Sequence, residues 1–492
     1  MSEQKETGSL SFISSAFKFS IATWVNALLY AVAVFAINLF VDKAIQGPYE
    51  LMINAAVTLM SVVTLGLDHS YIRFYNEPPG GAKDFRQVAA AGLAISLLSL
   101  FVISAVILLA IPQLIGKAFF EGGRDAFLLI STCFFTLFMV VIRFFNITYR
   151  MRGNVLMFSL VSISLQFFTR AFYIFGAVIK PDFYFVSIFG LAGFGIFTLF
   201  FFLAQRKAML PKRYEVRGSA YAPLLKYGLG LMPSSVLLWG NQLVNKLFIG
   251  ANLGDSALGV FAFAALVSQA LGIVQGGFAT FWSAYMFKNY KSEEERIKKT
   301  HDYLMFAMMC MMCLLILSSP LIFLLLSNYS QSRPIFGMML FAPLLMVIAE
   351  TTVYGIEIAK KTVFNTIASL LGLLVNIALS ALLIPAYGLT GAAVSLAVST
   401  AAMFLFRTIV AQRLYRTIRS YQKTAVSLAV MAALSTLSWL LDGRHLLLLG
   451  ISVVALLFYM AVYRREFLRL TRLTREVLDA VFLKKRTKKP AL

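Results

Sequence analysis

Apolar residues run through this chain in blocks of about twenty, the length that crosses a hydrocarbon core of about 30 Å as an α-helix, and short polar stretches separate the blocks. The pattern predicts spans over 15–37, 49–67, 87–111, 126–148, 155–179, 183–203, 224–249, 256–283, 302–326, 334–358, 362–384, 387–410, 424–441 and 446–463. Backbone polar groups in lipid must pair within their own segment, so each span is expected to be helical. The strict alternation of a membrane β-barrel is absent from the sequence. The expected fold class is therefore all-α, a polytopic integral membrane protein of about 14 transmembrane helices.

Composition strengthens this picture. The chain is 60% hydrophobic and 13% charged, with a mean hydropathy of +0.80. A soluble domain carries about 25% charged residues, enough to cover a water-facing surface. The formal net charge of +22 would suit a nucleic-acid partner if it were clustered on a folded face, but its distribution fits a membrane instead. Assigning alternate loops to alternate sides leaves Lys43, Lys117, Arg124, Lys180, Arg333 and Arg444 on one side. Arg170 and Lys246 fall within spans, and the remainder of the 44 Lys+Arg lie on the side holding both termini. By the positive-inside rule both termini are expected to be cytoplasmic. The basic belt then faces anionic membrane lipids, and no nucleic acid is implied. The polar N-terminus leads into a long span without a small-residue cleavage site, so that span is expected to be retained. Residues 464–492 form a basic tail in which Leu470, Leu473, Val477 and Val481 share one helical face, as in a helix lying on the membrane surface.

The loops between spans are short, the longest external one running over roughly residues 112–125. They leave no room for an extramembrane catalytic domain. No GxxxxGK[ST] motif occurs. Cys133, Cys310 and Cys313 sit in apolar runs, and His69, His301 and His445 are scattered without metal-ligand spacing. The chain is thus expected to be a transporter with no cofactor and no metal, drawing on an ion gradient or the membrane potential.

An internal repeat at a spacing of about 210 residues organises the spans. Phe17-Lys18-Phe19 resembles Leu225-Lys226-Tyr227, Gly47 corresponds to Gly259, and Arg152-Gly153 falls near Lys361-Thr362. The expected domains are an N-terminal lobe of spans 1–6 (residues 1–217) and a C-terminal lobe of spans 7–12 (218–420). Spans 13 and 14 (421–463) and the tail (464–492) follow.

Polar residues are costly in lipid, so their positions are informative. Asn54, Thr58, Ser61 and Asp68 share a face of span 2, and Gln269, Gly272, Gly276, Thr280 and Ser283 a face of span 8. Span 5 carries Ser159, Ser162, Gln166, Arg170 and Tyr173, and span 11 carries Asn365, Ser369, Gly372, Asn376 and Ser380. Thr23, Asn26 and Tyr30 in span 1 match Ser234, Asn241 and Asn245 in span 7. Such stripes either glue helices together or line a polar cavity. Their recurrence in corresponding spans favours a cavity, with Asn26, Gln166, Asn241, Asn245, Gln269 and Asn376 as its lining. Arg170, Lys246, Arg143 and Arg73 are the candidate cations for an anionic substrate, because charge-assisted hydrogen bonds strengthen at low dielectric. Snorkelling or an internal ion pair would account for the same residues. Glu350 and Asp68 are candidates for ion coupling, and Pro233 for a hinge.

Three segments carry a family resemblance. The run KYGLGLMPSSVLLWGNQLVNKLFIGANLGDSALGVFAFA holds Pro233, Lys246, Gly254 and Gly259. The run NIALSALLIPAYGLTGAAVSLAVST holds Pro385, Gly388, Gly391, Ala392 and Ala393, and GLDHSYIRFYNE holds Arg73, Phe74 and Tyr75. Together they resemble Wzx-type polysaccharide flippases of the multidrug/oligosaccharidyl-lipid/polysaccharide exporter (MOP) superfamily. Asn245 stands where the family usually has an aspartate. The resemblance implies two six-helix lobes around a central cavity in a bacterial cytoplasmic (inner) membrane. It also implies transfer of an undecaprenyl-(pyro)phosphate-linked oligosaccharide to the outer leaflet by alternating access. Lipid-linked oligosaccharide, membrane lipids and other polysaccharide-assembly proteins are the partners so implied. An ion-coupled multidrug/cation antiporter of the same superfamily and an integral-membrane glycan polymerase or glycosyltransferase are the competing readings. The former would carry acidic cavity residues, and the latter a large external loop or an acidic catalytic pair.

Overall fold

The computed structural model describes residues 28–80, 82–114, 123–152, 154–211, 221–359, 361 and 363–468. Asn26 and the amphipathic face of the tail lie outside them. The described residues are helical almost throughout and contain no strand. In chain order the helices are α1 (Leu28–Phe40), α2 (Lys43–Val63), α3 (Leu67–Arg73), α4 (Phe85–Leu114), α5 (Gly123–Met151), α6 (Val155–Ile179) and α7 (Phe183–Met209). They continue with α8 (Tyr221–Asn289), α9 (Glu294–Leu325), α10 (Arg333–Ala349), α11 (Tyr354–Ile358), α12 (Val363–Leu414), α13 (Tyr421–Leu440) and α14 (His445–Val462).

Among the described residues nine helices are long and apolar enough to cross a membrane, or ten when α2 and α3, bent by 58° at a short break, count as one span. Two of the nine are double. α8 breaks at Gly254 (φ 81°) and α12 at Gly388 (φ 57°), both in the left-handed region that a Cβ disfavours. Each therefore folds as two limbs, 221–253 with 255–289 and 363–387 with 389–414. With the short apolar helices α1 and α14 included, the element order follows the spans read from the sequence one for one. Large apolar side chains on the outer faces stay uncovered, Phe200 at 72% and Leu382 at 70% exposure. That is the arrangement for hydrocarbon and not for water.

Local chemistry sets the helix starts. Asp42, Asn154 and Asp182 accept the first free amides of α2, α6 and α7, from Ala44, Met157 and Phe185. The Asp42 cap starts α2 six residues earlier than the sequence pattern suggested. At its other end Leu65 (φ 51°) and Gly66 (φ 68°) turn the chain before α3.

The chain forms two compact units. The first comprises residues 1–277, 326–332 and 363–403, and the second 278–325, 333–362 and 404–492. The boundary expected at 217/218 falls inside the first unit. There α6 packs on α7, and α2 packs on α5. Two glycine crossings bring α2 against α8. A Cβ on Gly47 would lie 2.6 Å from Gly259 N, and one on Gly259 would overlap the Lys43 carbonyl. At the other end of α2, a Cβ on Gly66 would lie 2.9 Å from Gly228 Cα. Gly47 and Gly259, paired above as repeat equivalents, are thus direct neighbours.

In the second unit α9 packs on α14 and α10, and α10 on α13. α10 stops at Ala349, so Glu350 sits in a turn before α11 and not within a continuous helix over 334–358. His301 of α9 is fully buried. Its Nδ1 lies 2.8 Å from Thr351 Oγ1 and its Nε2 3.2 Å from Thr424 Oγ1. The Thr351 hydroxyl donates to the Ile348 carbonyl at 2.8 Å, so it accepts from Nδ1–H of His301. His301→Leu would strand the Thr424 hydroxyl and is expected to cost about 1–3 kcal/mol, read as a lowered unfolding midpoint. An unchanged midpoint would show that these bonds contribute nothing net.

Candidate functional site

The first unit buries three charges together. Glu50 lies on α2, about 10 Å along the helix from its first residue. Lys246 lies about 12 Å before the Gly254 break in α8, and Arg170 about 14 Å before the end of α6. Arg170 Nη1 is 3.4 Å from Glu50 Oε1, and Lys246 Nζ is 3.8 Å from Glu50 Oε2. Glu50 and Lys246 are 7% and 4% exposed, and the Arg170 side chain 18%. Two cations thus share one carboxylate, leaving one positive charge in excess where water is scarce. Coulomb interactions strengthen in such surroundings.

The neighbours hold this arrangement in place. Asn54, one turn on from Glu50, donates to Glu50 Oε2 at 3.4 Å and to the Glu50 carbonyl at 2.7 Å. The Arg170 guanidinium lies 4.9 Å from the Tyr30 ring centroid, a cation–π contact. The Tyr30 hydroxyl donates to the Leu266 carbonyl at 2.8 Å. Tyr49 stacks on Tyr173 with centroids 3.9 Å apart and donates to the Thr169 carbonyl at 3.1 Å. The Tyr173 hydroxyl donates to Gln46 Oε1. These bonds fix the turn of α2 just before Glu50 against α6 on either side of Arg170. The ion pairs themselves are longer than the about 2.7–2.9 Å of a tight charge-assisted hydrogen bond. The carboxylate neutralises its partners without being clamped to either.

The other candidates are distributed as follows. Asn241, Asn245 and Asn376 converge, but on one another. Asn376 Nδ2 lies 2.9 Å from both Asn241 Oδ1 and Asn245 Oδ1 and 2.7 Å from the Asn241 carbonyl. Asn245 donates to Ser380 Oγ at 3.3 Å and the Ala392 carbonyl at 3.0 Å. With Asn245 in place of an aspartate, this cluster is neutral, and Lys246 pairs instead with Glu50 of α2. Arg143 and Asp68 form a buried-edge pair, Nη2 and Nε both on Asp68 Oδ2 at 2.9 and 3.1 Å. Arg73 pairs with exposed Glu77 at 3.0 Å, a contact worth about 0–1 kcal/mol. The backbone keeps helical torsions through Pro233, and α8 breaks at Gly254 instead. The side chains of Gln166 and Gln269 lie outside the described residues. In the second unit, Glu350 shares an electrostatic neighbourhood with Glu357 and Arg407. Among the described residues Arg407 Nε has no hydrogen-bond partner.

Glu50 is the residue that sequence reasoning passed over. Starting span 2 at residue 49 placed it at a helix end, where a carboxylate is ordinary. The stripe Asn54, Thr58 and Ser61 extends back one turn to Glu50 once the helix starts at Lys43, and that was the signal available. Arg407 was passed over for a similar reason, since it lies near the end of span 12.

No family model matches the chain, and no curated protein does. Solved structures share its fold. The lipid II flippase MurJ in an inward-closed conformation superposes at TM-score 0.68 over 92% of this chain and 99% of that one, with 16% identity. A MOP superfamily transporter from Pyrococcus furiosus superposes at 0.53 over 81% and 94%, with 14% identity. An outward-facing multidrug resistance transporter of the MATE family gives 0.52 over 81% and 94%, with 14% identity. At these identities the likeness is one of fold, and it is the fold that the resemblance in the sequence implied.

Proposed function

We propose that this chain is a flippase that carries an undecaprenyl-(pyro)phosphate-linked oligosaccharide from the cytoplasmic to the outer leaflet by alternating access, for cell-surface polysaccharide biosynthesis. The observation that carries this reading is the buried site in which Arg170 and Lys246 share Glu50. Burying an excess positive charge among apolar helices is costly unless an anion visits it. A pyrophosphate esterified at both ends keeps one acidic oxygen on each phosphorus, hence two negative charges to set against two cations. One protein of this fold is a lipid II flippase, which supports a lipid-linked substrate. The lobes 1–217 and 218–420 would rock about the site, to which the first contributes Glu50 and Arg170 and the second Lys246. The lipid tail would stay in the bilayer.

In this reading the protein is not an enzyme and uses no cofactor. It sits in a bacterial cytoplasmic membrane with both termini inside, next to other polysaccharide-assembly proteins, and draws on an ion gradient or the membrane potential. MATE transporters share the fold, which keeps a cation antiporter as the second reading. The excess charge of this site has the wrong sign for a cationic drug. In proteoliposomes, transfer of a fluorescent undecaprenyl-pyrophosphate oligosaccharide is expected to fall at least about 100-fold on Arg170→Ala, equivalent to roughly 3 kcal/mol of lost charge pairing. Wild type that moves no such lipid under any ion gradient yet extrudes organic cations would hand the function to the antiporter.

A further inference from the structure

Glu50 fills the place that the proposed substrate needs. Its two oxygens face one cation each, Oε1 towards Arg170 at 3.4 Å and Oε2 towards Lys246 at 3.8 Å. A diester pyrophosphate, with one charged oxygen on each of two phosphorus atoms, would likewise present one anionic oxygen to each of these cations. From this we infer that Glu50 is the built-in substitute anion of the empty carrier: it cancels one of the site's two positive charges after cargo leaves, and so permits the unloaded protein to return. The inference rests on the flippase reading above and adds the step that reading leaves open.

The physical argument concerns the unloaded state. Two cations without a counter-ion, buried among helices whose apolar faces meet lipid, would be costly to move between two conformations that expose different sides. With Glu50 between them the empty site keeps one excess charge instead of two. The long pair distances make the carboxylate displaceable, and Asn54 Nδ2, already 3.4 Å from Oε2, offers it a hydrogen bond when an anion takes its place. Substrate then exchanges one set of ion pairs for another of higher charge. The link has a second consequence, since Glu50 belongs to the expected N-terminal lobe and Lys246 to the C-terminal one. The empty site is held across the lobe boundary by Glu50, and the loaded site by the cargo.

A carrier that cannot return empty still exchanges cargo for cargo. The test therefore compares net transfer, with a fluorescent undecaprenyl-pyrophosphate oligosaccharide in one leaflet only, against exchange, with unlabelled lipid supplied to the other leaflet. For Glu50→Gln the ratio of net transfer to exchange is expected to fall about tenfold or more, and half-saturation to shift to lower probe concentration. Glu50→Gln/Lys246→Gln leaves Arg170 alone, restoring one excess charge in the empty site. Its ratio of net transfer to exchange is expected to return towards that of wild type. The double variant carries the test by itself should Glu50→Gln not survive purification. Equal losses of net transfer and exchange in Glu50→Gln, or a double variant with no recovery of the ratio, overturn the inference and leave the flippase reading standing. Wild type that moves the probe in neither assay overturns both.

Discussion

Glu50→Met is expected to destabilise the folded protein by about 3–5 kcal/mol, while Lys246→Met costs about 1 kcal/mol or less. The asymmetry follows from counting charges. Removing the carboxylate strands two cations, one of them 4% exposed, and leaves Arg170 with the face of the Tyr30 ring at 4.9 Å. Removing Lys246 leaves Arg170 and Glu50 as a one-to-one pair, and the methionine refills most of the vacated volume. Burial alone would order the two variants the other way, since the lysine is the more enclosed residue. Thermal unfolding in detergent at neutral pH gives the comparison. Equal costs would mean that the triad is hydrated well enough for each charge to be held by water, and the argument for an anion site would lose its main support.

Gly259→Ala should cost about 3 kcal/mol, against no loss or a gain of up to about 1 kcal/mol for Gly272→Ala on the same limb of α8. At Gly259 the added methyl would overlap the Lys43 carbonyl and lie 2.8 Å from its carbon. Both belong to the helix backbone at the start of α2, which cannot rotate aside. A Cβ on Gly272 would meet nothing within 4 Å among the described residues, so only the entropy of the unfolded chain changes. Because the crossing joins α2 to α8 about 10 Å from Glu50, Gly259→Ala should also weaken the Glu50–Lys246 contact. A double-mutant cycle with Lys246→Met should then show coupling. Equal midpoints for the two alanine variants would show that α2 and α8 separate there at no cost.

The class of fold was legible because the solvent enforces it. A run of apolar residues long enough to cross a bilayer has one stable backbone, and the distribution of Lys and Arg gives a consistent sidedness. The two interruptions were legible as span boundaries, between 249 and 256 where α8 breaks at Gly254, and between 384 and 387, just before the α12 break at Gly388. Other boundaries were less so. The start of α2 depends on Asp42 reaching the Ala44 amide at 2.7 Å, a bond invisible to a hydropathy count, and that shift hid Glu50. The break at Glu350 was hidden for a similar reason, since α10 yields to a turn at Thr351 and Thr352. There the Thr352 hydroxyl finds the Thr408 hydroxyl at 2.9 Å, and the Thr352 carbonyl accepts from Gln412 at 3.1 Å.

The sequence by itself determined that this protein lives in a membrane, is helical, and carries a few polar and charged residues where they are costly. Periodicity says which residues share a face of one helix, and that is a local property. It cannot say which face meets which, because helix rotation is set by packing between segments far apart in the chain. Only the tertiary structure decided that Arg170 and Lys246 share one carboxylate 120 and 196 positions away from it. It likewise decided that Asn241, Asn245 and Asn376 satisfy one another, and that Gly47 rests on Gly259. The charged and amide pairings answer one physical demand, that polar groups withdrawn from water find partners, while the glycine crossing lets two helices approach closely enough to supply them.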